Sequence, residues 1–230
     1  MTVMQIVQQL FGSMGITMEI FFVTLITSLI LGLGLALIRM SKNPILSVIA
    51  KFYISVMRGT PLMLQLLVVY FGPFFIFGMQ ITPSYRLKAV LIGFALNYAA
   101  YFAEIYRSGI AAIPVGQYEA ARMLGYSKTQ TFAYIVMPQV IKRIIPPVAN
   151  ETITLVKDTS LAFTLAVAEV FTVTKQLVAS QSFRCSVYCG GCFLLHFQSD
   201  CGGNFLIILK RKWIITDRRR AHAFTGNEPY

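Results

Sequence analysis

A chain of 230 residues that is 56% hydrophobic and only 13% charged, with a mean hydropathy of +0.66, is not a soluble domain; such domains usually carry about 25% charged residues. The net charge of +11 does not point to nucleic acid either. The cations sit at the ends of apolar runs and in the tail, where positive-inside anchoring accounts for them, and no basic–aromatic stripe accompanies them.

Residues 1–15 hold no Lys or Arg, so a cleavable leader is not expected and this segment reads as an external N-terminal stretch. A bilayer core about 30 Å thick takes roughly 20 helical residues to cross. Ile16 to Leu37 meets that length, closed by Arg39 and Lys42. The next stretch, Arg39 to Arg58, reads as a loop carrying Arg39, Lys42, Lys51 and Arg58 with no acidic residue. Pro61 to Phe77 is the second span and Leu87 to Ile110 the third. The loop from Arg107 to Arg143 holds five cations (Arg107, Arg122, Lys128, Lys142, Arg143) against one Glu. Both basic loops are therefore expected in the cytoplasm and the N-terminus outside, with Arg86 and Lys88 as minor exceptions on the outer side.

The fourth apolar stretch, from near Ile141 to Val173, is interrupted by Lys157-Asp158-Thr159-Ser160. Each half, Ile144 to Val156 and Leu161 to Val173, would reach only about 20 Å as a helix. The expectation is a tilted helix, a turn at the polar break, and a partly inserted helix. Irregular backbone at membrane depth is tolerated where it is buried in protein or lines a watery cavity, so the substrate path is sought here. Asn150, Glu151, Lys157 and Asp158 are its candidate residues, because ionisable groups inside a bilayer tend to be paired or functional. They would either contact substrate or form hydrogen bonds between helices. Glu19 is expected to reach the outer interface, and Glu104 with Arg107 to form an i, i+3 ion pair.

Between the third and fourth stretches, Glu119-Ala120-Ala121 is followed by Gly125 and then by Ile135-Val136-Met137-Pro138. Gln117 to Met123 reads as a short helix after Pro114 and Gly116, ended by Gly125 in a left-handed conformation. Ala120 and Ala121 are small enough for close packing in a partner's cleft, with Glu119 as a polar anchor. The full spacing resembles the cytoplasmic coupling loop of permease subunits of ATP-binding-cassette (ABC) importers, usually ending I-x-L-P, with Met137 as the one departure. Arg58-Gly59-Thr60-Pro61-Leu62, Ala103-Glu104-Ile105-Tyr106-Arg107-Ser108-Gly109-Ile110, Ile113-Pro114-x-Gly116-Gln117, Pro146-Pro147-x-x-Asn150 and Leu155-x-Lys157-Asp158-Thr159-Ser160-Leu161 resemble the polar amino-acid subgroup, the histidine/glutamine/arginine permeases. The likeness covers about residues 15–181.

That resemblance implies an all-α integral membrane protein of the type I ABC importer permease fold, with about five transmembrane helices, in the bacterial plasma (inner) membrane. Residues 16–181 would be the transmembrane domain and 111–138 its cytoplasmic coupling loop. Glu119, Ala120, Ala121, Gly125 and Pro138 would dock on the ATPase. The implied partners are a pair of ATP-binding subunits, a second permease subunit (identical or similar), an extracytoplasmic amino-acid-binding protein and membrane lipid. ATP and Mg would sit on the partner ATPase and no cofactor on this chain, since no G-x-x-x-x-G-K-[ST] loop occurs in it. No catalytic residue or nucleophile–base pair is visible. Competing readings are an importer of another small solute such as an opine, a non-transporting membrane scaffold or non-functional permease because of the damaged C-terminal span, and an ion channel, the last lacking a filter motif.

The likeness stops near Gln181. Residues 182–230 stand where a last span is expected, yet Phe183 to Phe205 is broken by Arg184, Gly190-Gly191, His196, Asp200 and Gly202-Gly203. Shifted codons for Tyr188 to Phe193 can encode Ile-Val-Ala-Ala-Val, so two frame slips would explain the tail. Reading the coding DNA in all three frames tests this. On that view Cys185, Cys189, Cys192 and Cys201 are accidental, and Cys189-Gly-Gly-Cys192 is not a metal or redox site.

Overall fold

Residues 3–80 and 82–180 are described by the computed structural model, and the regular structure among them is all helical. α1 (Val3–Arg39) is a single helix of 37 residues, about 56 Å long and well beyond a bilayer core. The stretch expected as an N-terminal segment is thus mostly the beginning of α1. Three glutamines mask its helical period, but Ile6 and Leu10 are buried against Val170 and Leu177 of α8 (Val170–Ser180).

α4 (Tyr85–Ala111) is the packing partner along most of α1. The seam is made of small residues. On α1 these are Ser13, Thr17, Thr24, Ser28, Gly32 and Ala36; on α4 they include Ala99, Ala100 and Ala103. Small side chains let two helix backbones approach closely, which in a membrane substitutes for the missing hydrophobic drive. Two of the buried hydroxyls turn back onto their own helix: Ser13 Oγ donates to the Leu10 carbonyl at 2.9 Å and Ser28 Oγ to that of Leu25 at 3.2 Å.

Gly32 is where the approach is tightest. A Cβ placed there would stand 2.8 Å from Phe102 Cβ and 3.1 Å from the Ala99 carbonyl oxygen, neither of which can swing aside. Gly32→Val is therefore expected to destabilise the fold by about 1–3 kcal/mol through overpacking, read as easier unfolding in a detergent titration. Gly34→Val, where a Cβ meets nothing within 4 Å, is the matched control.

The stretch from Arg39 to Arg58, expected as a loop, contains a helix, α2 (Pro44–Gly59). Asn43 caps it by accepting from the Ile45 backbone at 3.0 Å, and Pro44 supplies the first turn. Lys51 and Arg58 within it and Arg39 and Lys42 before it are spread among apolar residues, which hides a helix whose Ala50 and Ile54 are buried. α3 (Leu62–Phe77) follows at 111° to α2. Pro61 between them has no N–H to offer. The carbonyl of Met57 instead accepts from Asn97 Nδ2 (3.1 Å) and Gln65 Nε2 (2.9 Å), and Asn97 also donates to Gln65 Oε1 at 2.9 Å. This knot fixes the α2–α3 corner to α4.

After α4 come α5 (Val115–Met123), the single turn α6 (Lys128–Gln130), a π-helical stretch Thr131–Val136, and α7 (Met137–Asp158). A 3₁₀ segment Thr159–Leu165 continues α7, and the chain then redirects by 57° into α8. The expected break is present but displaced. The polar residues 157–160 stay helical, and the irregular backbone falls at residues 166–169, where Ala166 has φ +53°. The cause is Glu169, whose carboxylate accepts from the backbone of Phe171 (2.6 Å) and Thr172 (2.7 Å) and from the Thr172 hydroxyl (2.8 Å). A carboxylate at a helix start satisfies free N–H groups and complements the dipole, so a new helix begins at Val170 rather than running through from Leu161.

Among the described residues, α1 and α4 are each long and apolar enough to cross a membrane, and up to four crossings result if α2–α3 and the α7–α8 run each count as one bent span. A further span, the cysteines and the tail at 182–230 lie outside the described residues.

Candidate functional site

Two polar sites stand at opposite ends of α7, and each is built by elements remote in sequence. At the first, α5 ends in a paired-hydrogen-bond cap. The Gly125 N–H reaches the Arg122 carbonyl and the Tyr126 N–H reaches the Ala121 carbonyl, both at 3.0 Å. Gly125 has φ +80°, a conformation that only glycine reaches without cost. Ser127 then opens the next turn with a reciprocal capping box to Gln130.

The loop is tied to α7 at two points. Gln139 Nε2 donates to Gln117 Oε1 at 3.1 Å, and Arg143 Nη1 to the Ala112 carbonyl at 2.7 Å. Beneath them, Ile113, Val136 and Val140 form a small apolar core. Glu119 and Ala120 are exposed, whereas Ala121 is turned inward and only 1% exposed. Ala121 therefore packs within its own chain, in place of the partner cleft expected for it. Pro138 is half-buried in the first turn of α7. The outer surface adds residues that the sequence reading passed over: Met123 is 90% exposed and Leu124 74%, with Val115 and Tyr134 also outward. Large apolar side chains this open on a short capped helix form a contact surface.

The second site surrounds Asp158. Tyr98 of α4 donates its hydroxyl to Asp158 Oδ2 at 2.7 Å. Glu151, two turns earlier on the same face of α7, lies within electrostatic reach of Asp158, Tyr98 and Arg58. Arg58, from the end of α2, stacks over the Tyr101 ring at 5.2 Å, and the Tyr98 and Tyr101 rings are 6.1 Å apart. So α4 carries two tyrosines between the carboxylates of α7 and the guanidinium at the end of α2. Such a set can hold a cation against the carboxylates and an anion against Arg58.

Of the four candidates on α7, the structure brings together Glu151 and Asp158. Asn150 and Lys157, spaced by the same seven residues, are exposed on the neighbouring face. Tyr98, Tyr101 and this role for Arg58 were not anticipated. The signal available was the i, i+3 series Tyr98, Tyr101, Glu104, Arg107, a polar stripe on an otherwise apolar span. The lower half of that stripe is the expected ion pair, with Arg107 Nε donating to both Glu104 oxygens at 3.0 Å.

Residues 28–195 match the family of binding-protein-dependent transport system inner membrane components. That match continues past residue 181, into the stretch where the sequence likeness was expected to end. The chain is 44% identical over 156 residues to YckA of Bacillus subtilis (strain 168), a probable amino-acid ABC transporter permease, covering 68% of this chain and 67% of that one. It is 34% identical over 224 residues to OccM of Rhizobium radiobacter, an octopine transport system permease, covering 92% and 87%. Among solved structures, an amino acid ABC transporter crystallised with histidines superposes with a TM-score of 0.81 at 28% identity, over 92% of this chain and 99% of that one.

Proposed function

Because the chain belongs to the family of binding-protein-dependent transport system inner membrane components, we propose that it lines the path of an amino-acid importer and links that path to ATP hydrolysis through α5. It is an ABC transporter permease of a bacterial inner membrane, a transport subunit and not an enzyme, and in such systems the ATPase is a separate subunit. Its substrate is an amino acid, in keeping with the names of its relatives and of the superposed transporter. The Asp158 site suits the zwitterion that all amino acids share, and the motifs that resemble the polar amino-acid subgroup favour a polar side chain.

The orientation that fits this role puts Arg39, Lys51, Arg58, Arg122 and Lys128 on the cytoplasmic side and the N-terminus outside. Glu119, Ala120, Gly125 and Pro138 then belong to the coupling region facing the ATPase, joined by Met123 and Leu124, while Ala121 packs α5 onto its own chain. ATP and Mg belong to that partner. Two permease subunits, alike or similar, enclose the path, with two ATPases below and an extracytoplasmic binding protein above.

The observation that carries the mechanism is the continuity of α7. Its 22 residues, with Pro146 and Pro147 inside the helix, span about 33 Å from beside α5 to Asp158. A push on α5 passes through the Gln117–Gln139 and Arg143–Ala112 bonds into α7. This helix then moves Glu151 and Asp158 against Tyr98 and Tyr101, opening or closing the site. The π-helical stretch before Met137 is a natural place for the loop to adjust.

The test is uptake of labelled arginine, glutamine and histidine by vesicles holding this chain, its ATPase and its binding protein. ATP-dependent accumulation of at least one of them is expected. ATPase binding without any uptake would favour the scaffold reading, and accumulation of octopine alone would favour an opine importer.

A further inference from the structure

Beside the path, between the end of α1, α2 and the later turns of α4, an open cleft of about 350 Å³ is lined by Arg39, Lys51, Ser55, Arg58 and Glu104. Three cations converge on it. The single carboxylate among these residues is already gripped by Arg107, and it lies within electrostatic reach of Arg58 and Arg39. Counting Arg107, and Glu151, which reaches Arg58 from α7, four positive charges face two negative, a surplus of two. Like charges gathered in a concave site raise one another's energy, and a bound anion relieves them.

α2 has three distinct faces. Ala50, Tyr53, Ile54 and Met57 turn toward α1 and α4. Lys51, Ser55 and Arg58 line the cleft. Ile45, Val48, Ile49, Phe52 and Val56 point away and are exposed, Phe52 by 71%. At 100° per residue, Val48 and Phe52 lie directly beside the Lys51–Ser55 stripe, so the apolar face borders the cationic cleft along its length. A soluble anion would use the cations and leave that face idle. A molecule with a phosphate at one end and hydrocarbon at the other uses both.

We propose that this cleft is a binding site for an anionic membrane phospholipid, with the phosphate between Arg39 and Lys51 and the acyl chains along Val48, Phe52 and Val56. Basic pockets between helices at a membrane surface are suited to such headgroups. Since Arg58 also stacks on Tyr101, the bound lipid lies one side chain from the Asp158 site. The inference rests on the membrane-embedded reading above but not on the substrate.

The experiment is native mass spectrometry of the intact delipidated complex with its ATPase, titrated in turn with phosphatidylglycerol, phosphatidylcholine and glycerol 3-phosphate. Phosphatidylglycerol is expected to be retained over phosphatidylcholine. Arg39→Gln and Lys51→Gln should each weaken its retention about fivefold, and Lys128→Gln should leave it unchanged. Equal retention of the two lipids by the native complex would overturn the proposal, and that comparison needs no variant to fold. So would loss of bound lipid to equimolar glycerol 3-phosphate, which would make this a site for soluble anions, or displacement by free amino acid, which would make it part of the path. Uptake is not measured, so failure here is separate from failure of the importer reading.

Discussion

Replacing Gly125 by valine is expected to lower ATP-dependent uptake at least tenfold while the chain still inserts and α1 and α4 stay packed. The loss is a backbone effect. A Cβ at Gly125 meets nothing within 4 Å, so no clash is involved, but φ is +80°, where an ordinary side chain costs about 1–2 kcal/mol and a β-branched one more. Relief comes by releasing the 3.0 Å bonds to Arg122 and Ala121. The last turn of α5 then frays and Met123 and Leu124 lose their fixed positions. Gly125→Asn is the discriminating control, because asparagine enters the left-handed region readily. It should keep most of the uptake. If asparagine fails as badly as valine, the left-handed cap is not what coupling needs.

Asp158→Asn is the second large effect. Asparagine keeps an oxygen to accept the Tyr98 hydroxyl, now 2.7 Å away, so the α4–α7 contact survives while the charge is lost. A hydrogen bond to a charged group contributes about 1.5–3 kcal/mol, which predicts a fall in uptake of roughly 10- to 100-fold with unchanged resistance to thermal unfolding. Tyr98→Phe deletes the bond without the charge and should cost less transport. Lys157→Gln, on the exposed face, should be close to native. Full uptake by Asp158→Asn would remove this residue from the path.

Much of this was readable from local chemistry. The capped end of α5 needs only Gly125, and the Glu104–Arg107 pair needs only its i, i+3 spacing. Other features were hidden for definable reasons. The stretch holding α2 looked like a loop because Arg39, Lys42, Lys51 and Arg58 dominate its charge, although Asn43-Pro44 is a sound helix start. The break after α7 was sought at the charged residues 157–160, but a helix restarts where its free N–H groups find an acceptor, and Glu169 supplies one eleven residues after Asp158.

By itself the sequence determined the membrane class and the capped turn at Gly125, and set the expected sidedness, since hydropathy, charge placement and turn chemistry act over a few residues at a time. Only the tertiary structure decided which face of each helix is used. Glu151 and Asp158 meet Tyr98 and Tyr101 while Asn150 and Lys157 do not, and Ala121 turns inward while Ala120 does not. The spacing of seven is the same for both pairs on α7. What separates them is the rotation of α7 about its axis, fixed by packing against α4 through contacts some sixty residues apart in the chain.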